Sequence, residues 1–186
     1  MNRFEIKTKI EKEFKELPEN FVVNFSVDQH IYNQTQLVLL EYLIKKLQLQ
    51  GLFVSLNKPY ETICEELKQN NLDANAIYCI DGVSKETGKF SNSEKCFCLE
   101  NPSSLTEMST LINALFNDKK IKFIVLDSLS TLLLYNDIKT VEKFAHSLVN
   151  NARKSNISVA IMSPKEKSEE DVLAIVTQFC DKEIEL

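Results

Sequence analysis

The sequence predicts a three-layer α/β domain with a mainly parallel central sheet, preceded by an amphipathic N-terminal helix. Three observations carry this prediction. The segments FVVNFSV, LFVSL, AIYCI, IKFIVLD and ISVAIM are short and apolar along their whole length, the pattern of strands covered on both faces rather than one. Amphipathic stretches of about 10 to 16 residues separate them, as right-handed crossovers between parallel strands require. The chain has 186 residues, 44% of them hydrophobic and 26% charged, which suits one domain with a substantial core and excludes a disordered chain.

Residues 1 to 17 place Phe4, Ile10, Phe14 and Leu17 at helical spacing among Lys and Glu, and Pro18 stops the segment. This divides the chain into a helix over 1–18 and an α/β domain over 19–186. Phe21 to Val27 is the first strand. After the polar octet DQHIYNQT, a helix carries the stripe Leu37, Leu40, Ile44 and Leu47 and ends near Gly51. Leu52 to Leu56 is a strand, Glu61 to Lys68 a helix, and AIYCI a strand running into Asp81. Gly82 to Lys95 is a polar loop holding two of the three glycines, the candidate mobile segment. KCFCLE is a short strand, and Ser103 or Ser104 caps a helix through Phe116. IKFIVLD is a buried strand ending on Asp127. A helix over Val141 to Arg153, a strand over Ile157 to Met162, a helix over Glu169 to Phe179 and a terminal KEIEL strand complete the alternation.

With 22 Lys+Arg against 27 Asp+Glu and a net charge of -5, the chain has no general basic field for a nucleic-acid backbone or an anionic membrane. Only two arginines, Arg3 and Arg153, are available for phosphate or base contacts. No apolar run approaches the roughly 20 residues of a membrane span, and the first residues are charged throughout. The expected setting is cytoplasmic, with no nucleic-acid or membrane partner. Five cysteines, Cys64, Cys79, Cys96, Cys98 and Cys180, form no paired C-x-x-C units, so neither a disulfide framework nor a zinc site is expected. Cys96 and Cys98 share one face of a strand and are expected to pack in the core, with redox switching as the lesser alternative.

Parallel sheets bind ligands at the carboxyl ends of their strands, which directs attention to the loops after Val27, Leu56, Asp81, Asp127 and Met162. There the run Ile124 to Tyr135, a hydrophobic strand with an aspartate at its tip followed by Ser-Leu-Ser and an apolar helix, resembles the Walker B strand of RecA-fold ATPases, closest to the KaiC group. Val22 to Leu47 resembles that family's first strand, phosphate loop and following helix, and GLFVSLNKP its second strand. The resemblance runs from about residue 20 to the end and implies a RecA-like sheet in which Asp127 stands where the family holds the magnesium ion of bound ATP.

The same alignment exposes departures. A phosphate loop reads G-x-x-x-x-G-K-[ST], because glycines turn successive N–H groups inward, the lysine neutralises phosphate oxygens and the hydroxyl meets Mg²⁺. Here Asp28 and Asn33 replace the glycines, Gln34 replaces the lysine, and only Thr35 remains. A loop without glycine is expected to be wider or helical. Where the KaiC group carries paired glutamates, this chain reads Leu56-Asn57-Lys58-Pro59, leaving no general base in place; Glu61, one turn on, is a remote substitute. The resemblance thus implies a non-catalytic pseudo-ATPase, not an enzyme, with no catalytic residues, no metal and no resident cofactor. Its role is assembly, regulation or signalling, as a homo-oligomer or with RecA/KaiC-like or signalling partners. Asp28, Asn33, Gln34, Thr35 and Asp127 are then vestiges of a nucleotide site. The alternative is a weak or atypical ATP-binding protein with a Mg²⁺-dependent switch, using Thr35, Asp127 and the helix N-terminus near Asn33.

Each of these residues also has a plainer reading. Asp127 ends a buried strand and caps the next turn, and Thr35 sits in the first turn of a helix. His30 is an exposed loop residue and His146 a surface residue of its helix. Asp81-Gly82 is a turn signal, or else Asp81 joins Asp28 and Asp127 in an acidic mouth. Lys165 and Lys167 put positive charge near the same edge.

Overall fold

A computed structural model describes residues 1–88, 93–118, 120–165 and 170–186. The strands are β1 (Val22–Val27), β2 (Gly51–Ser55), β3 (Ile77–Asp81), β4 (Cys96–Cys98), β5 (Phe123–Asp127), β6 (Ser158–Pro164) and β7 (Lys182–Glu185). They form one seven-stranded sheet in the order β4-β3-β2-β5-β6-β1-β7, and every pair is parallel. The helices are α1 (Arg3–Phe14), α2 (Tyr32–Glu41), α3 (Tyr60–Gln69), α4 (Ser84–Thr87), α5 (Leu105–Asp118), α6 (Leu129–Tyr135), α7 (Ile138–Lys154) and α8 (Glu170–Thr177). The predicted three-layer α/β architecture is the one observed.

Strand alternation sends successive side chains to opposite faces, and both faces are apolar here. Leu52, Val54, Ile124, Leu126, Val159 and Ile161 meet Met108, Ile112, Phe144 and Leu148 of α5 and α7 on one side. Phe25, Phe53, Phe123 and Val125 meet α1, α2 and α3 on the other. Phe25, Phe53 and Phe123 are among the largest fully buried side chains, each worth about 1.5–3 kcal/mol of transfer free energy. Gly51 opens β2 because a Cβ there would lie 2.2 Å from the Phe123 ring.

The first helix starts on a capping box, with Asn2 accepting from the Glu5 N–H and Glu5 reaching back to Asn2. Its buried stripe is Ile6, Ile10 and Phe14. Phe4, which the sequence placed in the stripe, is 77% exposed: an i, i+4, i+8 row starting at Ile6 leaves Phe4 on the opposite side of the helix. Phe14 meets Phe21 and Tyr42 edge to face, with ring centroids 4.8 and 5.0 Å apart. Ion pairs join α1 to Glu41 of α2 through Arg3 and Lys7, and to β7 through Lys182 with Glu13 and Glu16.

The second helix also differs from its apolar stripe. It starts at Tyr32 and passes into a π turn over Tyr42–Lys46, and its buried face is Thr35, Gln36, Val38, Leu39, Leu40, Leu43 and Ile44, while Leu47 is exposed. Gln48, not glycine, takes the left-handed conformation after it, at φ 54. Ser104 caps α5 by accepting from the Glu107 N–H at 3.3 Å. The Gly82 to Lys95 loop contains α4 and a left-handed Gly88; the expectation of mobility falls partly on residues 89–92, outside the described residues. Among the described residues, no helix is long and apolar enough to cross a membrane.

Candidate functional site

The carboxyl ends of β1, β2, β5 and β6 surround a cavity of about 390 Å³, lined among others by Tyr32, Asn33, Asn57, Lys58, Asp127 and Thr131. Its centre is Asp127, 1% exposed at the tip of β5. One carboxylate oxygen, Oδ1, accepts from Tyr32 Oη at 2.7 Å and from Asn57 Nδ2 at 3.3 Å; the other accepts from Gln36 Nε2 at 2.7 Å. Tyr32 and Gln36 are four residues apart on α2, so they project side by side from one helix face. The peptide bond from Asp127 to Ser128 is cis.

Outward from Asp127 the polar contacts continue. Gln36 Oε1 accepts from Lys58 Nζ at 3.3 Å, and Lys58 is paired at 2.9 Å with both oxygens of Glu66 on α3. Thr131 Oγ1 donates to Asn57 Oδ1 at 2.6 Å, and Ser128 Oγ caps α6 by accepting from the Thr131 N–H. Burial pushes the Asp127 carboxyl above the usual carboxylate range, while Tyr32, Gln36, Asn57 and the Lys58 charge pull it back. The result is a continuous side-chain network across α2, α3, β2, β5 and α6, built round one buried carboxylate.

Only part of the expected site converges here. Asn33 is exposed and lines the cavity with Asp127. Asp28 is exposed and caps a 3-10 turn over Gln29–Ile31 by accepting from the His30 N–H at 2.9 Å. The segment from Asp28 to Thr35 is therefore a capped turn running directly into α2. Gln34 is half-buried and off the lining, and Thr35 is fully buried with no hydrogen-bond partner for its Oγ1. Glu61 is exposed in the first turn of α3 and also off the lining. His30 and His146 are exposed, the latter edge-on to Phe179 at 4.9 Å. Lys165 is exposed and pairs with Glu185; Lys167 lies outside the described residues.

The acidic mouth does not form. Asp81 is fully buried and spends its acceptor capacity on the N–H groups of Tyr60, Val83 and Ser84 and on Ser84 Oγ, at 2.6 to 2.9 Å, which is the turn-and-cap role of a strand-end aspartate. Asp28 points to solvent, so Asp127 is the one aspartate of the three that lines the cavity. Sequence reasoning missed Tyr32, Gln36 and Thr131. The available signal was the i, i+4 spacing of Tyr32 and Gln36 ahead of the apolar stripe.

No protein-family model matches the chain, and no curated protein matches it in sequence. Among solved structures, it is similar to the crystal structure of a KaiC-like protein from the hyperthermophilic archaeon Pyrococcus horikoshii OT3, with a TM-score of 0.61 and 13% identity over 91% of this chain and 72% of that chain. At that identity the likeness is one of fold: the parallel seven-stranded sheet with helices on both faces is a RecA-like α/β fold.

Proposed function

We propose that the protein is a non-catalytic KaiC/RecA-like module, a pseudo-ATPase that acts by assembling with itself or with a RecA/KaiC-like or signalling partner. One observation carries this reading: both oxygens of Asp127 are taken up by side-chain donors of its own chain. A hard cation such as Mg²⁺ binds oxygen lone pairs, yet Asp127 meets three donated hydrogens, and the hydroxyl of Thr35 is buried away from the cavity. The nearby cation, Lys58, is committed to Glu66. These residues do not fit Mg²⁺-ATP, and a degenerate phosphate loop accounts for them: Tyr32 and Gln36 donate to the Asp127 oxygens where the water shell of a metal ion would donate in an active relative. Leu134, which lines the cavity, and Tyr135 and Ile138 after it in the chain are exposed at 77, 51 and 47% and offer apolar surface for assembly.

Calorimetric titration of the purified chain with ATP, with and without Mg²⁺, tests the reading, run beside light scattering for mass. The expected result is no binding at millimolar nucleotide, together with a mass above 21.4 kDa or capture of a partner of the same fold. Mg²⁺-dependent binding tighter than about 100 μM, or about 5.5 kcal/mol, that Asp127→Ala abolishes would establish the nucleotide-switch alternative instead.

A further inference from the structure

On the edge strand β4, Cys96 and Cys98 point to the same face, and their Sγ atoms are 3.9 Å apart. Both are half-buried, where the sequence had placed them in the core. The setting is rich in sulfur: Cys79 of β3 is the register partner of Cys96, and Cys64 of α3 packs in the same apolar cluster. A carboxylate oxygen of Asp81 also lies within 4.8 Å of both sulfurs, but Asp81 has given its acceptor capacity to Tyr60, Val83 and Ser84. The free donor set is therefore sulfur alone.

We propose that Cys96 and Cys98 bind one soft, thiolate-preferring cation of the Cu(I) class at the open edge of the sheet. Two geometric facts favour a bridging metal over a disulfide. Residues i and i+2 of a strand are about 6.7 Å apart at Cα, the far limit of disulfide geometry, whereas two thiolates holding one two-coordinate cation at ~2.3 Å each stand up to roughly 4.6 Å apart. The observed 3.9 Å separation reaches the second by a small rotation of the two side chains, without moving the strand. Sulfur donors without hard oxygen ligands select Cu(I) over Mg²⁺ or Ca²⁺. Each thiol gives its proton to water as its sulfur–metal bond forms, with no change in oxidation state. Because both protons are released on binding, uptake weakens as the pH falls.

The test adds the full-length, fully reduced chain, freed of reductant, to the coloured Cu(I)–bicinchoninate complex. Expected is withdrawal of one Cu(I) per chain, lost in Cys96→Ser and in Cys98→Ser and kept in Cys180→Ser, with circular dichroism confirming that each variant is folded. Alkylation of the unaltered chain by iodoacetamide, read by peptide mass, gives a second measure that needs no variant: Cu(I) protects Cys96 and Cys98 and leaves Cys180 reactive. No withdrawal of Cu(I), undiminished uptake by the Cys96→Ser/Cys98→Ser double variant, or protection confined to other cysteines would overturn the assignment.

Discussion

Two aspartates end parallel strands on the same rim of the sheet, Asp81 on β3 and Asp127 on β5, with β2 between them. Both are buried, at 0 and 1% exposure, and both accept several hydrogen bonds, yet the donors differ in kind. Three of the four donors to Asp81 are backbone N–H groups, two from the turn and helix that follow it and one from Tyr60 at the start of α3. All three donors to Asp127 are side chains, borrowed from α2 and from the loop after β2. A carboxylate bound to backbone is part of how the chain turns and serves almost any sequence that makes the turn. A carboxylate bound to side chains faces a lining that substitution can rewrite without altering the fold, which is the property of a functional rim.

Substitutions at the two sites separate these roles. Asp81→Ala removes the acceptor that three N–H groups and a hydroxyl share, and is expected to cost about 4 kcal/mol in urea unfolding. Asp127→Ala is expected to cost about 2 kcal/mol, because two of its three donors, Tyr32 and Asn57, border a cavity where water can satisfy them. Equal costs would break the comparison. Tyr32→Phe is expected to cost about 1 kcal/mol in the native chain and less in the Asp127→Ala background; fully additive costs in that double-mutant cycle would mean that the two groups do not act together.

The pH dependence of stability sharpens the same contrast with a smaller effect. Because burial raises the Asp127 pKa in the folded chain, ionising it costs the folded state more than the unfolded one. The penalty is absent while the carboxyl is protonated in both states, and it grows as pH rises from the ordinary carboxylate range through the folded value. Compared with Asp127→Asn, the native chain should lose stability over that rise, read from urea midpoints at successive pH values. The smallest expected change is Lys165→Ala, an exposed pair with Glu185 at the same rim, within about 0.5 kcal/mol.

The parts of this rim that were legible in the sequence depended on the strands. Buried parallel strands are apolar along their whole length, so their ends could be located, and with them Asp127 and the turn at Asp81. The donors were not legible, because an apolar stripe finds only the apolar part of a buried face. The buried face of α2 begins with Thr35 and Gln36, and the burial of Gln36 is decided by a carboxylate 91 residues away. The helix frame of α1 slipped for a related reason: Phe4 and Ile6 are both apolar, and only the sheet beneath selects the row through Ile6. The thiols of β4 are similar, since nothing local to C-F-C tells an edge strand from an interior one; sheet order alone does.

The pairing of β1 with β6 and β7 has a consequence in time. Glu16, just ahead of β1, and Lys182, at the start of β7, meet across 166 residues of chain, and at a synthesis rate of 5–20 residues per second that interval lasts about ten to thirty seconds. Both neighbours of β1 are made late, β6 from Ser158 and β7 from Lys182, because β2, β3, β4 and β5 build the opposite half of the sheet. On the ribosome, the strand made first is thus the one whose two edges close last. Val23, Phe25 and Val27 wait through most of synthesis with only α1 and α2 to cover them.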